Sequence, residues 1–119
     1  MTNLISEKEV LSENSQLIRL SGELDIHSAP LFKDEVLSSI TGGCLHIIID
    51  LDDLLFLDSR GLGTFIAISR LLKDRQGTLK LICSNDAILR IFTRTGLNEI
   101  FQMFDSREAA LSVPSLKTV

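Results

Sequence analysis

The sequence predicts an α/β fold: a single domain with a mixed sheet of about five strands and about four helices. Three observations carry this. Two strand-like runs come first, and from there helical and strand patterns alternate to the end, the order of a sheet with right-handed parallel crossovers. Residues 44–51 are almost wholly apolar, as suits a strand covered on both faces. The 119 residues, 45% hydrophobic and 24% charged, suit one core with a radius of gyration of about 13–14 Å.

Residues 4–10 and the alternating run 16–20 read as the first two strands. Residues 21–25 read as a turn. Ser28 or Ala29 opens a helix with Pro30 in its first turn, where a missing N–H costs nothing. Its apolar stripe is Leu31, Phe32, Val36, Leu37 and Ile40, and Thr41-Gly42-Gly43 ends it. After the strand at 44–51, residues 52–58 read as a loop. Ser59 stands where a helix cap belongs, and Leu62, Phe65, Ile66, Ser69 and Leu72 form that helix's inward face. Residues 78–82 are a strand, 86–93 a helix stopped at Thr95-Gly96, 102–104 a short strand and 106–111 a last helix. The domain is expected over residues 4–112, with 113–119 as a tail in which Pro114 stops any helix.

Composition excludes several functions. All six aromatic residues are Phe, so the stacking platforms of single-strand nucleic-acid binders are missing. A formal net charge of −4 argues against nonspecific binding to nucleic acid or anionic lipid. No apolar run is long enough to span a bilayer. The polar N-terminus carries no secretion signal. Two cysteines, Cys44 and Cys83, are too few for a disulfide framework. A cytoplasmic protein with two buried free thiols is expected.

Residues 56–64, Phe-Leu-Asp-Ser-Arg-Gly-Leu-Gly-Thr, form the densest chemical signal. They lie between a buried strand and a helix, at the strand end where α/β proteins place ligand and partner sites. Ser59 offers an exposed hydroxyl near the first N–H groups of the helix. Gly61 and Gly63 leave room for another protein's backbone. On composition alone a plain serine cap with packing glycines is the stronger reading of the same residues, since Ser is among the preferred caps. No phosphate loop is present, because the glycine spacing is wrong and no Lys-Ser or Lys-Thr follows. The serine-hydrolase elbow is also missing, since Leu57 replaces its first glycine. His27, Cys44, His46 and Cys83 show no metal-ligand spacing, and His46 reads as a sheet residue. No catalytic residue, metal or cofactor is therefore expected. The stretch 22–30, Gly-Glu-Leu-Asp-Ile-His-Ser-Ala-Pro, is the second candidate. Glu23 and Asp25 read either as turn and capping chemistry or as an acidic docking surface.

Three motifs carry a resemblance to the STAS domains of bacterial anti-sigma factor antagonists. They are Gly22-Glu23-Leu24-Asp25 with Ser28-Ala29-Pro30, then Asp58-Ser59-Arg60-Gly61-Leu62-Gly63, then Phe92-Thr93-Arg94-Thr95-Gly96-Leu97. The resemblance implies a single STAS-like domain that is not an enzyme. It implies that Ser59 is phosphorylated by a partner that is both anti-sigma factor and serine kinase of the histidine-kinase-like ATPase type. A PP2C-type phosphatase would restore the serine, and the unmodified form would bind the anti-sigma factor and release its target. Glu23, Asp25, His27, Ser28, Asp58, Arg60, Gly61, Leu62 and Gly63 would form the partner surface. Arg60 departs from the pattern, which has a small residue there. A cation at that point can pair with a phosphate or an acidic patch. The alternative is a STAS subunit of a lipid-transport complex or larger signalling assembly, in which the phosphoacceptor is often lost. A small nucleotide-binding enzyme is disfavoured by the missing phosphate-loop lysine.

Overall fold

The computed structural model describes residues 3–113; of the expected tail 113–119, all but Val113 lies outside the described residues. The elements are β1 (Leu4–Ser12), β2 (Ser15–Leu24), α1 (Ala29–Thr41), β3 (His46–Leu57), α2 (Ser59–Asp74), β4 (Thr78–Ile82), α3 (Asp86–Thr95), a 3-10 turn (Leu97–Glu99), β5 (Gln102–Phe104) and α4 (Arg107–Ser112). The five strands lie in sheet order β1-β2-β3-β4-β5. β1 runs antiparallel to β2, and every other pairing is parallel.

Helices cover the two faces unequally. Phe32, Val36 and Ile40 of α1, Phe65, Ile68 and Leu72 of α2, and Ile88 and Phe92 of α3 pack on Ile18, Leu20, Ile47, Ile49 and Leu81 of the sheet. Four phenylalanines bind this layer together. Phe32 meets Phe65 edge-on, Phe65 stacks with Phe92, and Phe92 meets Phe101 edge-on, at centroid distances of 6.5, 6.2 and 6.0 Å. Aromatic pairs favour these separations. On the other face, among the described residues, α4 alone packs down, through Ala110 against Leu17, Ile48 and Ile82. The radius of gyration is 13.1 Å, and Cys44 and Cys83 are buried free thiols.

Four expectations about the elements need correction. Residues 52–57 are strand, not loop, and residues 21–24 belong to β2 rather than a turn. The two strands run on together, pairing Ser21 with Asp53 and Leu24 with Leu57, after β4 has ended opposite Asp50. Register shifts at Arg19/Ser21 and Gly22/Glu23 bury Leu51, Leu54 and Leu57 at every third position, which hides the period of two expected of a strand. Gly22 sits in this irregular stretch with φ of 101°, and a Cβ there would lie 1.8 Å from the Asn3 carbonyl oxygen. In the helices, Leu31 faces outward, and Ile68 takes the buried place expected of Ser69.

Candidate functional site at the carboxyl end of β2 and β3

Parallel pairing of Leu24 with Leu57 brings the two strand ends level. Asp25 and Asp58 follow them directly, and the Asp58 N–H reaches the Leu24 carbonyl at 3.4 Å. The two motifs distant in sequence therefore meet at one sheet edge.

Asp58, rather than Ser59, caps α2. Its Oδ1 accepts the N–H groups of Arg60 and Gly61 at 3.0 and 3.2 Å, and its carbonyl accepts that of Leu62 at 3.0 Å. Extended backbone and a short acceptor suit Asp to this position. Ser59 becomes the first helical residue. It is exposed, and its hydroxyl makes no hydrogen bond among the described residues. Because Asp58 already takes three N–H groups of the first turn, few remain for an added anion at Ser59.

Asp25 works in the same manner. Its Oδ1 accepts the N–H groups of His27 and Ser28 at 2.9 and 3.0 Å. The Ser28 N–H, above all, holds its carboxyl below the usual aspartate range, with the His27 N–H and the Ser28 hydroxyl assisting against some desolvation. Ser28 Oγ accepts the Asp25 N–H at 2.9 Å and donates to the Glu23 carbonyl at 2.8 Å. The Glu23 carboxylate accepts from the Asn3 side chain at 2.8 Å. The acids at this edge are thus turned toward the chain's own donors.

The expected partner surface divides accordingly. His27, Ser59, Arg60 and Gly63 are exposed, and Glu23, Asp25 and Asp58 are half-buried. Ser28, Gly61 and Leu62 are buried, so they shape the edge from within rather than present a surface. Gly61 does not leave room for a partner. A Cβ there would lie 2.4 Å from Leu57 Cδ1 and 3.0 Å from both Leu24 Cγ and the Leu24 carbonyl oxygen. At Gly63 a Cβ would meet nothing within 4 Å.

Sequence reading missed the apolar part of this edge. Leu55 is 80% exposed, Ile26 52% and Phe56 45%; Phe56 pairs with Glu23. Ile26, Pro30, Lys33, Arg60, Gly63 and Thr64 line a shallow groove of about 290 Å³ between α1 and α2. The available signal is a pair of large apolar residues, Leu55-Phe56, within the expected loop 52–58.

The remaining candidates lie elsewhere. His46 opens β3, with Nδ1 2.9 Å from Thr78 Oγ1. Cys44 precedes β3 and Cys83 follows β4, and burial pushes both thiols up. Among the described residues, no three His, Cys, Asp or Glu side chains stand together as a metal site. Nor is any helix among them long and apolar enough to cross a membrane.

Comparison with known proteins adds a family to this geometry. The STAS domain family model matches residues 8–110. The anti-sigma-B factor antagonist of Bacillus subtilis is 30% identical over 100 residues, spanning 84% of this chain and 91% of the relative. Among solved structures, an anti-sigma factor antagonist from Mycobacterium paratuberculosis superposes with a TM-score of 0.81 at 24% identity, covering 92% of each chain. The Bacillus cell fate determinant SpoIIAA in its phosphorylated form superposes with a TM-score of 0.73 at 26% identity, covering 91% of this chain and 97% of that one.

Proposed function

The chain belongs to the STAS-domain family of anti-sigma factor antagonists, and on that premise we propose that it is a binding module switched by phosphorylation of Ser59. In the unmodified state it binds an anti-sigma factor that is also a serine kinase, and so frees that factor's target. The observation that carries this reading is the placement of Ser59. Its hydroxyl stands exposed on the first turn of α2, with the Asp58 carboxylate holding the backbone that follows it at Arg60 and Gly61. Phosphoryl transfer would form the bond from Ser59 Oγ to the γ-phosphorus of ATP. ADP leaves, and the hydroxyl proton goes to a base on the kinase.

The added phosphate brings a charge of about −1.5 to −2. Asp58 already holds the Arg60 and Gly61 N–H groups, so the phosphate faces outward, beside a carboxylate that repels it. The helix dipole still favours an anion at this end. The fold is therefore expected to persist while the presented surface changes sign. His27, Arg60, Gly63 and the apolar Ile26, Leu55 and Phe56 form the contact surface in this reading. A PP2C-type phosphatase restores the serine. Incubation with the cognate anti-sigma factor kinase and ATP, followed by peptide mass mapping, tests the assignment. Stoichiometric phosphate on Ser59 is expected. Modification elsewhere, or none, contradicts it.

A further inference from the structure

The opposite end of the sheet carries a second concavity, on the face covered by α4. Ser15 and His46 mark the first row of the parallel strands there. Together with Leu11, Ile48, Leu111 and Lys80 they line a pocket of about 220 Å³. Lys80 is unusual in this setting. It is only 2% exposed, whereas lysine is almost never fully buried unless paired. Its ammonium donates to the Ala110 carbonyl at 2.9 Å and to the Val113 carbonyl, and it stands 5.7 Å from the centre of the Phe104 ring. None of these groups carries a formal negative charge. Among the described residues no carboxylate forms an ion pair with Lys80. Burial lowers its pKa from the usual lysine value.

Among the described residues this buried ammonium is held by carbonyls alone, without the counter-charge that normally offsets desolvation. It has three donors, and the two carbonyls account for two. We propose that this pocket binds a small amphiphilic monoanion: a short-chain carboxylate whose head pairs with Lys80 and whose tail lies against Leu11, Ile48 and Leu111. One cation matches one negative charge. Leu11, Ile48 and Leu111 offer an apolar tail a surface that inorganic phosphate could not use, beside the polar Ser12, Ser15 and His46 of the same pocket. The volume equals the liquid share of about seven water molecules, enough for a carboxylate of about six carbons. The site lies at the end of the sheet away from Ser59, and the proposal does not depend on the phosphorylation reading.

Hexanoate is the probe, with hexanol as its uncharged counterpart. Each is titrated into the full chain, followed by the melting temperature and by backbone and methyl NMR. Hexanoate is expected to bind saturably, with a dissociation constant of about 1 mM or below. Shifts should centre on Ile48 and Leu111, and hexanol should bind at least tenfold more weakly. Lys80→Met should erase that preference. Should Lys80→Met fail to fold, Leu111→Trp provides the second arm. Leu111 is 47% exposed, so an indole there can fill the mouth of the pocket from the surface, and hexanoate binding should be lost. Equal binding of hexanol, shifts confined to the α1–α2 groove, unaltered hexanoate binding by Leu111→Trp, or no saturable binding below about 10 mM would overturn the proposal.

Discussion

Asp25 and Asp58 close neighbouring parallel strands in the same way. Each follows one member of the Leu24–Leu57 pair, and each turns Oδ1 onto two backbone N–H groups of the segment it introduces. The backbone N–H of Asp58 reaches back to the Leu24 carbonyl. The two strand-to-helix turns thus form one structural unit, and Ser59 is carried on it.

This unit changes what is expected of Asp25. An exposed docking acid could be truncated without cost to the fold, but a carboxylate with two backbone N–H bonds cannot. Asp25→Ala should lower the melting temperature by about 4 °C. Asp25→Asn keeps an acceptor in place and should recover most of that loss. Thermal denaturation of both variants checks this. If Asn weakens partner binding as much as Ala while the fold is kept, the charge itself is read by the partner.

Acid should act through the same group. The folded pKa of Asp25 lies below its ordinary value of 3.8, so its contribution is complete above that value. The contribution declines as pH falls through the lower, folded pKa. In a series of melts from pH 6 to pH 2, the wild type should therefore lose more stability below about pH 4 than Asp25→Asn. Parallel curves for the two proteins would count against a charged cap.

The two glycines of α2 should respond in opposite directions. Gly61→Ala drives a methyl into Leu57 and the Leu24 backbone and should destabilise by about 1–3 kcal/mol. Gly63→Ala meets open space and should stabilise the helix by up to about 1 kcal/mol. If the exposed turn is a partner surface, Gly63→Ala should also weaken anti-sigma factor binding despite the firmer fold. Chemical denaturation and a binding titration on each variant separate the two effects.

Much of the architecture was legible in the residues. β4 and β5 fall at the expected positions, with Gly77 just before the first and Asp105 just after the second. The helix starts followed from Pro30 and from the polar residues preceding each apolar stripe. The extension of β3 was hidden, since two register shifts remove the alternation that marks a strand and Asp52-Asp53 suggests a loop. The cap lies one residue before the expected Ser59 because Asp and Ser are both good caps, and the Asp58 carboxylate's reach to Arg60 and Gly61 decides between them. Gly61 was read as space for a partner, and its filling by Leu24 and Leu57 depends on strand pairing that no local pattern reveals. Lys80 escaped notice for a similar reason. Its burial under α4 arises from carbonyls 30 and 33 positions later in the chain.

The switch can be read directly as partner affinity. A charge near −2 at about 6 Å from a partner carboxylate, with an effective dielectric of about 40, costs about 3 kcal/mol, or about 100-fold in affinity. The cognate anti-sigma factor kinase should be titrated against unmodified protein, Ser59-phosphorylated protein and the Ser59→Ala and Ser59→Asp variants, with circular dichroism recorded on each. The phosphorylated form should bind about 100-fold more weakly than the unmodified form, Ser59→Asp should show part of that loss, Ser59→Ala should bind like the unmodified protein, and all four spectra should coincide. Equal affinities across the four forms, or an unfolded phosphoprotein, would contradict the switch.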